Sequence, residues 1–380
     1  MSKSKMPKVT ILNYELYSAL GHTKETIAAI KSGKTGSTFK EVQSLTSYVK
    51  TPYFAFAQAI PQVPESIEAL LSDMVSKLIV SLSTEERAST VLIIGTSIVD
   101  WHLVDAINDT LYEDEKKPYS SQKRSIDSYA QNLAKYFGLN DFTMTINTAC
   151  TSSANAVLEA SNLISSGLYA HAIVLGLELF SPIMSSGFYA MDLIAKEKIR
   201  PFDRQRDGLV LGEALGGMVL SKRASPWMLE GGFSNCDSET ITSVSQSGEE
   251  CLFVMNEALK ASLLQPNEIT AVKAHATGSY SNDIAEMNAL SNLFSDSLTF
   301  TALKPYIGHT IGASGVTEMV LLMQAIDDGF IPKTLNCEEA IFEAYQPLSS
   351  HQPCQGGTFM CNYFGFGGNN TSLIIRKEMR

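Results

Sequence analysis

Apolar stretches of two periodicities alternate along the chain, and they predict alternating strands and helices. Short apolar runs rich in β-branched residues predict strands over residues 91–95, 142–146, 172–177, 209–220, 270–274, 298–302, 357–362 and 372–376. Apolar positions at helical spacing predict helices over residues 67–78, 125–137, 151–166, 185–194, 249–264, 283–294 and 316–327. This alternation indicates an α/β protein in which buried, largely parallel sheets are covered by helices.

Length and composition indicate a globular chain with a large core. The 380 residues exceed the ~100–200 residues of a usual domain, so one large unit or two fused units are expected. The apolar run at residues 9–12 is too short for the core of a signal peptide. No stretch approaches the ~18 apolar residues that a membrane-spanning helix needs. We therefore expect a cytoplasmic protein with no membrane span.

Charge balance and cysteine spacing argue against two further classes of protein. The formal net charge of −11 argues against nucleic-acid binding. Zinc sites typically hold cysteines two residues apart or beside histidines, and no cysteine of this chain is placed in this way. We therefore expect no metal, and we interpret five cysteines as packing residues: Cys236, Cys251, Cys337, Cys354 and Cys361.

The remaining cysteine, Cys150, lies in Asn-Thr-Ala-Cys-Thr-Ser-Ser-Ala, between the predicted strand 142–146 and the predicted helix 151–166. At such a position the positive end of the helix dipole and unpaired backbone N–H groups favour the thiolate, the form that attacks carbonyl carbon. The small residues around Cys150 would let a substrate approach closely. Taken alone, a buried packing cysteine is an equally good interpretation.

Two histidines and a glycine-rich turn change that balance. His275 follows the predicted strand 270–274 in His-Ala-Thr-Gly-Ser, and His309 precedes the predicted helix 316–327 in Lys-Pro-Tyr-Ile-Gly-His. Phe366 lies in Gly-Phe-Gly-Gly, between two strand-like runs. One cysteine and two histidines, all set among small residues and glycines, indicate an active site.

Together these motifs resemble the elongating β-ketoacyl-[acyl carrier protein] synthases. The matches are Thr-Ala-Cys-Thr around Cys150, His-Ala-Thr-Gly-Ser from His275, His309 five residues after Lys304, Arg-Pro-Phe-Asp-Arg-Gln-Arg-Asp-Gly from residue 200, and Gly-Phe-Gly-Gly at 365–368. They occur in the family's order, from about residue 142 to the C terminus. The first 140 residues match less well, and Ala276 and Ser279 stand where the family usually has glycine and threonine.

The resemblance implies a thiolase-like α/β fold, in which two similar halves form five layers in the order αβαβα. The N-terminal half, residues 1–222, would carry the nucleophile, and the C-terminal half, residues 223–380, would carry the two histidines. The implied activity is that of an acyltransferase. It would join an acyl thioester to malonyl-[acyl carrier protein] by decarboxylative Claisen condensation, in fatty acid or in polyketide or polyene chain elongation.

The resemblance also assigns roles to the residues of the three motifs. Cys150 would accept the acyl group, while His275 and His309 would stabilise the enolate and assist decarboxylation. Neutral imidazole N–H groups stabilise such an oxyanion well in a dry pocket. The backbone N–H groups of Cys150 and Phe366 would form the oxyanion hole. The Phe366 side chain would act as a gate, because flanking glycines give its turn backbone freedom.

Further residues match family positions near the site. Thr277 and Ser279 would contact the phosphopantetheine arm of the acyl carrier protein, which carries the substrates, so no tightly bound cofactor is expected. Lys304 would lower the pKa of its neighbours or anchor water. Glu286 also matches a family position near the site and would lie behind the reacting groups. A purely structural ion pair between Lys304 and Glu286 is an equally good interpretation.

The implied partner, an acyl carrier protein, is acidic and would be repelled at long range by a chain of net charge −11. Docking therefore needs a local basic patch. Lys123 and Arg124 are the first candidates, and the cluster Lys196, Lys198 and Arg200 is the next. The sequence leaves open whether the chain forms a homodimer or a heterodimer with a ketosynthase-like chain-length factor.

The alternatives to an elongating condensing enzyme are weaker. A non-catalytic subunit like the chain-length factors typically lacks the active cysteine, whereas Cys150, His275 and His309 are all present. Degradative thiolases use a second cysteine as base, and starter-unit synthases use an asparagine where this chain has His309. A serine hydrolase would need a Gly-x-Ser-x-Gly elbow, which does not occur in the sequence.

Overall fold

The structure, a computed structural model, describes residues 9–44, 47–61, 63–97, 126–237, 244–294 and 298–378. Its strands are β1 (Val9–Ser18), β2 (Gly21–His22), β3 (Thr38–Gln43), β4 (Tyr48–Tyr53), β5 (Thr90–Thr96), β6 (Thr143–Ile146), β7 (His171–Glu178), β8 (Ala214–Ser221), β9 (Trp227–Cys236), β10 (Ala271–Lys273), β11 (Phe300–Thr301), β12 (Phe330–Ile331), β13 (Gln352–Pro353), β14 (Gly357–Phe364) and β15 (Asn369–Lys377). Its α-helices are α1 (Thr23–Lys31), α2 (Pro64–Leu78), α3 (Thr84–Ala88), α4 (Ile126–Phe137), α5 (Ser152–Ser165), α6 (Pro182–Ala190), α7 (Glu249–Ser262), α8 (Tyr280–Leu293), α9 (Lys304–Ile307) and α10 (Ser314–Asp327). Each predicted strand and helix has a counterpart among these elements.

The strands pair in an order that is nearly the same in both halves of the chain. The long sheet has the order β11-β10-β14-β15-β9-β1-β8-β7-β5-β6, with β2 at the side of β1. Outward from β1 and from β9, two antiparallel pairings are followed by two parallel ones. The halves join where β1 pairs with β9 over three residues, Val9, Thr10 and Ile11. The predicted boundary at residue 222 falls between β8 and β9, and it stays a prediction.

Three apolar cores separate the layers, because alternate residues of a strand face opposite sides of a sheet. Val91 and Ile93 of β5 face the central core, which contains α5 and α10, while Leu92 and Ile94 face an outer core with α2 and α4. The other half packs its outer face on α7 and α8. The order is therefore helix, sheet, helix, sheet, helix, so the predicted five-layered fold is confirmed.

The central helices α5 and α10 pack very closely. A Cβ atom at Gly315 would lie 2.0 Å from the backbone nitrogen of Ala154, so only glycine fits at this position. Helix α10 is buried on nearly all sides, which explains why its sequence is apolar without a polar face. None of the helices in the described part of the chain has the length and apolar character of a membrane-spanning segment.

Two predictions about the sheet are wrong. The sheets are mixed and not largely parallel, since β1, β8, β9 and β15 pair only antiparallel with their neighbours. The predicted strand 209–220 is shorter, because only Ala214–Ser221 enters the sheet. Leu211 instead forms a single bridge to His309, and the His309 N–H donates to the carbonyl of Val210 at 2.7 Å. The apolar run before β8 thus supports the backbone of the site.

Candidate active site

Four separate loops bring the predicted residues together. Cys150 lies in a short 3-10 turn between β6 and α5, and His275 follows β10 directly. His309 lies between α9 and α10, and Phe366 lies in the turn between β14 and β15. Cys150, His275 and His309 are fully buried, although the first comes from the N-terminal half and the others from the C-terminal half.

The cysteine and the two imidazoles are immediate neighbours. His309 Nε2 lies 3.1 Å from Cys150 Sγ, and the hydroxyl of Ser314 lies 3.3 Å from His309 Nδ1. The ring centroids of His275 and His309 are 5.4 Å apart, with the rings nearly perpendicular. Phe366 packs beside this group, and its ring meets Phe188 edge to face at 5.3 Å.

Lys304 fixes the position of His275 from behind. Its ammonium donates to the carbonyl of His275 at 2.6 Å and lies 3.3 Å from His275 Nδ1. An ammonium has no lone pair and can only donate, so Nδ1 accepts and the proton of the neutral ring is on Nε2. In the described structure Nε2 is buried and has no hydrogen-bond partner. His275 therefore presents an unused N–H donor inside the site.

The predicted ion pair between Lys304 and Glu286 is wrong. Lys304 instead pairs with Glu318 of α10, at 2.6 Å. The Glu286 carboxylate accepts the backbone N–H groups of His275 and Ala276, each at 2.8 Å, because α8 directs it at that loop. Glu286 thus holds the backbone around His275, and Glu318 holds the lysine.

Both site histidines are neutral at physiological pH. Burial lowers the pKa of His275 and of His309 well below the usual range, and the nearby Lys304 ammonium lowers both pKa values further. A neutral imidazole keeps one N–H donor and one acceptor nitrogen. The two rings can therefore donate hydrogen bonds without carrying charge into the pocket.

Burial opposes the thiolate that the position of Cys150 at a helix N terminus was expected to favour. Burial raises the pKa of the Cys150 thiol to about 11, although the backbone N–H of Phe366 and the charge of Lys304 lower the pKa in part. Desolvation outweighs the helix N-terminus because the sulfur is fully enclosed. The Cys150 side chain therefore rests as a thiol, in contact with His309.

The loop after His275 holds the next two predicted residues. Thr277 is buried and Ser279 half-buried, and their hydroxyl groups lie 3.0 Å apart. Asp283 lies in the first turn of α8. It accepts the N–H groups of Gly278 and Phe202 at 3.0 and 2.7 Å, and so ties this loop to the segment before β8. Lys123 and Arg124, the predicted docking residues, lie outside the described residues.

Sequence reasoning missed two buried acids. Glu318 is the one acid among the apolar residues of the first three turns of α10, and such an isolated charge is itself a signal, since buried carboxylates need partners. Glu178 ends β7, accepts from the Ser97 hydroxyl at 2.6 Å and from the Gly312 N–H at 2.9 Å, and burial raises its pKa to about 7. Among the described residues no cluster of His, Cys, Asp or Glu has the arrangement of a metal site.

Comparisons with known proteins agree with the resemblance of the motifs. The model for the β-ketoacyl synthase N-terminal domain matches residues 67–225, and the model for the C-terminal domain matches residues 228–338. A 3-oxoacyl-[acyl-carrier-protein] synthase 2 of Rhizobium meliloti is 30% identical over 322 residues, which cover 78% of this chain and 76% of that protein. The chain belongs to the β-ketoacyl synthase family.

This chain covers a smaller share of two eukaryotic relatives than of the Rhizobium protein. The mitochondrial 3-oxoacyl-[acyl-carrier-protein] synthase of Arabidopsis thaliana is 30% identical over 68% of this chain. A homolog of this synthase in Saccharomyces cerevisiae is 30% identical over 70% of this chain. The chain spans 61% of the Arabidopsis protein and 66% of the yeast protein.

Solved structures share the fold over nearly the whole chain. A chain of the ketosynthase in complex with its chain length factor from Xenorhabdus doucetiae superposes with a TM-score of 0.85, at 24% identity over 100% of both chains. A β-ketoacyl synthase from Burkholderia phymatum gives a TM-score of 0.86 at 23% identity, over 98% of this chain and 100% of its own. At such identities these likenesses speak for the fold alone.

Proposed function

We propose that this protein catalyses the decarboxylative Claisen condensation of an acyl thioester with malonyl-[acyl carrier protein], giving a β-ketoacyl-[acyl carrier protein]. One observation carries this proposal. A buried cysteine with His309 at 3.1 Å shares its pocket with His275, whose Nε2–H donor is unpartnered. A thiol and two neutral donors in a dry pocket are the groups that acyl transfer and enolate stabilisation need.

The first step is acyl transfer to Cys150. The sulfur attacks the thioester carbonyl, and the carrier sulfur leaves and takes up the proton that Cys150 gives up. The backbone N–H groups of Cys150 and Phe366 act on this sulfur already in the resting site. They would then donate to the carbonyl oxygen as it becomes an oxyanion. Phe366 would swing away to admit the second substrate.

The second step forms the carbon–carbon bond. The malonyl thioester loses carbon dioxide, and the electron pair of the broken bond forms an enolate whose oxygen accepts from His275 and His309. The enolate carbon attacks the acyl group on Cys150, and the sulfur leaves as a thiolate that takes up a proton from solvent water. Burial and the charge of Lys304 keep the histidines neutral, so that they donate hydrogen bonds without becoming proton sources themselves.

The substrates would arrive on the phosphopantetheine arm of an acyl carrier protein, with Thr277 and Ser279 beside the arm. No tightly bound cofactor is needed, since the carrier holds the reacting groups. The proposed location of the protein is the cytoplasm.

A second candidate is a chain-length-factor-like subunit. A ketosynthase with its chain length factor shares this fold, as does the ishigamide ketosynthase/chain length factor, at a TM-score of 0.84. This likeness supports dimerisation, either with a second copy or with such a partner. The intact set of Cys150, His275 and His309 favours the catalytic role.

Condensation is tested with the purified chain alone and with any subunit that co-purifies from the native host. The substrates are acyl carrier protein loaded with an acyl group and acyl carrier protein loaded with a malonyl group. Mass spectrometry then detects the acyl adduct on Cys150 and the β-ketoacyl product. We expect the adduct and the product to appear together with carbon dioxide. Absence of both, with or without the co-purifying subunit, would favour the non-catalytic candidate.

Carrier docking is expected to depend on local basic residues. Arg200, from the cluster Lys196, Lys198 and Arg200, borders the Thr277–Ser279 loop: a Cβ atom at Gly278 would lie 3.3 Å from its backbone nitrogen. Replacing Lys196 and Lys198 with glutamate should raise KM for carrier-bound substrates about fivefold at low salt. Charge at an interface rim acts mainly on encounter, and salt screens it beyond ~8 Å.

The paired variant Lys123→Glu/Arg124→Glu tests the first predicted patch in the same assay, at two salt concentrations. Lys260→Glu, an exposed change on α7, serves as control. A small acyl thioester without carrier should give unchanged kcat in every variant. Equal KM and equal salt dependence in both paired variants would place the docking surface elsewhere.

A further inference from the structure

Two lysines are fully buried behind the histidines, and they share one carboxylate. Lys273 Nζ lies 2.7 Å from one oxygen of Glu318, and Lys304 Nζ lies 2.6 Å from the other. Side chains of all three residues are fully buried. The reaction described above uses Lys304, but it gives Lys273 no role. A buried charge costs several kcal/mol of desolvation unless it is well paired, so a second ammonium at this depth requires a reason.

Each ammonium has three partners, which is the number of its N–H donors. Lys273 donates to Glu318 and to the carbonyl of Asn362 at 2.6 Å, and it lies 3.7 Å from the ring centroid of Tyr363. Lys304 donates to Glu318 and to the carbonyl of His275, and its third partner is His275 Nδ1. The set is therefore complete only while each lysine has one oxygen of Glu318.

We infer that Lys273 is a positioning residue of the active site: by occupying one oxygen of Glu318, it keeps the Lys304 ammonium directed at Nδ1 of His275. Without Lys273, both oxygens of Glu318 would be free for Lys304. Lys304 would then turn toward the carboxylate, and Nδ1 would lose the donor that places the proton on Nε2. Lys273 has this role in catalysis only if the pocket performs the proposed condensation.

Charge supports the same inference. The charged and titratable groups packed around Lys273 and His275 are Lys304, Glu318, Glu286, His309, Cys361 and Tyr363. Two lysines thus face two carboxylates, and the charge of Lys273 also helps to lower the pKa of both histidines. Loss of Lys273 alone would leave an excess negative charge beside His275 and favour its protonation.

Three variants separate this role from simple packing: Lys273→Met, Glu318→Gln and the double variant, which restores the charge balance. The chain contains six histidines. NMR of the protein with labelled histidine shows which ring nitrogen of His275 carries the proton, without any substrate. The signal is assigned by its absence in His275→Ala. We expect the Nε2–H tautomer in wild type, a mixture of tautomers in Lys273→Met, and partial return to Nε2–H in the double variant.

Malonyl decarboxylation against pH gives the second readout. We expect the acid limb of the profile to move up by about one pH unit in Lys273→Met, to move down in Glu318→Gln, and to return in the double variant. Lys273→Gln, which keeps a donor but loses the charge, replaces Lys273→Met if the latter does not fold. It should move the acid limb in the same direction.

A wild-type tautomer and an unmoved acid limb in Lys273→Met or Lys273→Gln, with only a lower unfolding temperature, would overturn the inference and leave Lys273 a packing residue. Failure of the proposed condensation is seen separately, as absence of an acyl adduct on Cys150 in wild type. The tautomer of His275 is measured without turnover, so the two failures are distinguishable.

Discussion

Replacement of Cys150 with alanine is expected to abolish condensation, with a loss of about 10⁴-fold or more. The acyl group would have no sulfur to bind, although the two histidines remain in place. The fold should persist, because the change removes one buried sulfur atom and costs on the order of 1 kcal/mol. Intact-mass measurement after incubation with acyl carrier checks the adduct, and chromatography of the carrier-bound product checks condensation.

Cys251→Ala is the matched control, because Cys251 is also fully buried but lies in the outer core with α7. It should retain both adduct and product.

Cys150→Gln should resemble the acylated cysteine in shape and retain malonyl decarboxylation without condensation. Normal condensation by Cys150→Ala would remove the basis for assigning Cys150 as the nucleophile.

Local pattern predicted the strands, the helices and sheets covered by helices, and the family resemblance implied the five layers, but the direction of the strands was not predicted correctly. The sequence of β5 is a continuous apolar run, and because successive residues of a strand face opposite sides of a sheet, Val91 and Leu92 lie in different cores. Whether β8 runs parallel or antiparallel to β7 depends on the path of the 35 residues between Glu178 and Ala214, which pass through the site. The hydrophobic pattern of the strands does not determine the route of this connecting segment. For this reason the prediction of largely parallel sheets was wrong.

Positions of the proposed site residues were predictable, whereas their electrostatics were not. Motif context brought Cys150, His275 and His309 into one proposed site, and the structure places His309 beside both Cys150 and His275. The pKa of Cys150 depends on enclosure by residues from distant segments, such as Phe188 and Phe366, so the local helix N-terminus gave the wrong direction. Long-range burial outweighs a local dipole when a group is fully enclosed.

The partner of Lys304 illustrates the same limit. Glu286 and Glu318 are both acids within a few turns of the site. The isolated position of Glu318 in α10 signals that it is buried and partnered, but the local sequence does not say which of the two acids pairs with Lys304. The choice follows from packing: Gly315 brings α10 against α5, and this position turns Glu318 toward both lysines. The packing of the helices therefore determines which of the two carboxylates pairs with Lys304, and only the three-dimensional structure shows this.

His275→Ala and His309→Ala are expected to separate the two chemical steps. Each variant should still form the acyl adduct on Cys150, while formation of the carbon–carbon bond falls by about 10²–10³-fold, the usual cost of one donor to a developing oxyanion. His309→Ala should also slow acylation, because it removes the contact at 3.1 Å to the sulfur, whereas His275 does not touch that sulfur in the resting site. Radiolabelled acyl transfer, measured beside product formation, reports both steps.

His351→Ala provides the control for loss of an imidazole elsewhere in the chain. His351 is half-buried and accepts the N–H of Lys333 at 3.0 Å, near β13 and outside the site. Its removal should leave both steps within a few-fold of wild type. If His275→Ala and His309→Ala also condensed within a few-fold of wild type, the enolate would be stabilised by other groups. The pair of neutral imidazoles would then owe its burial and its lowered pKa values to packing alone.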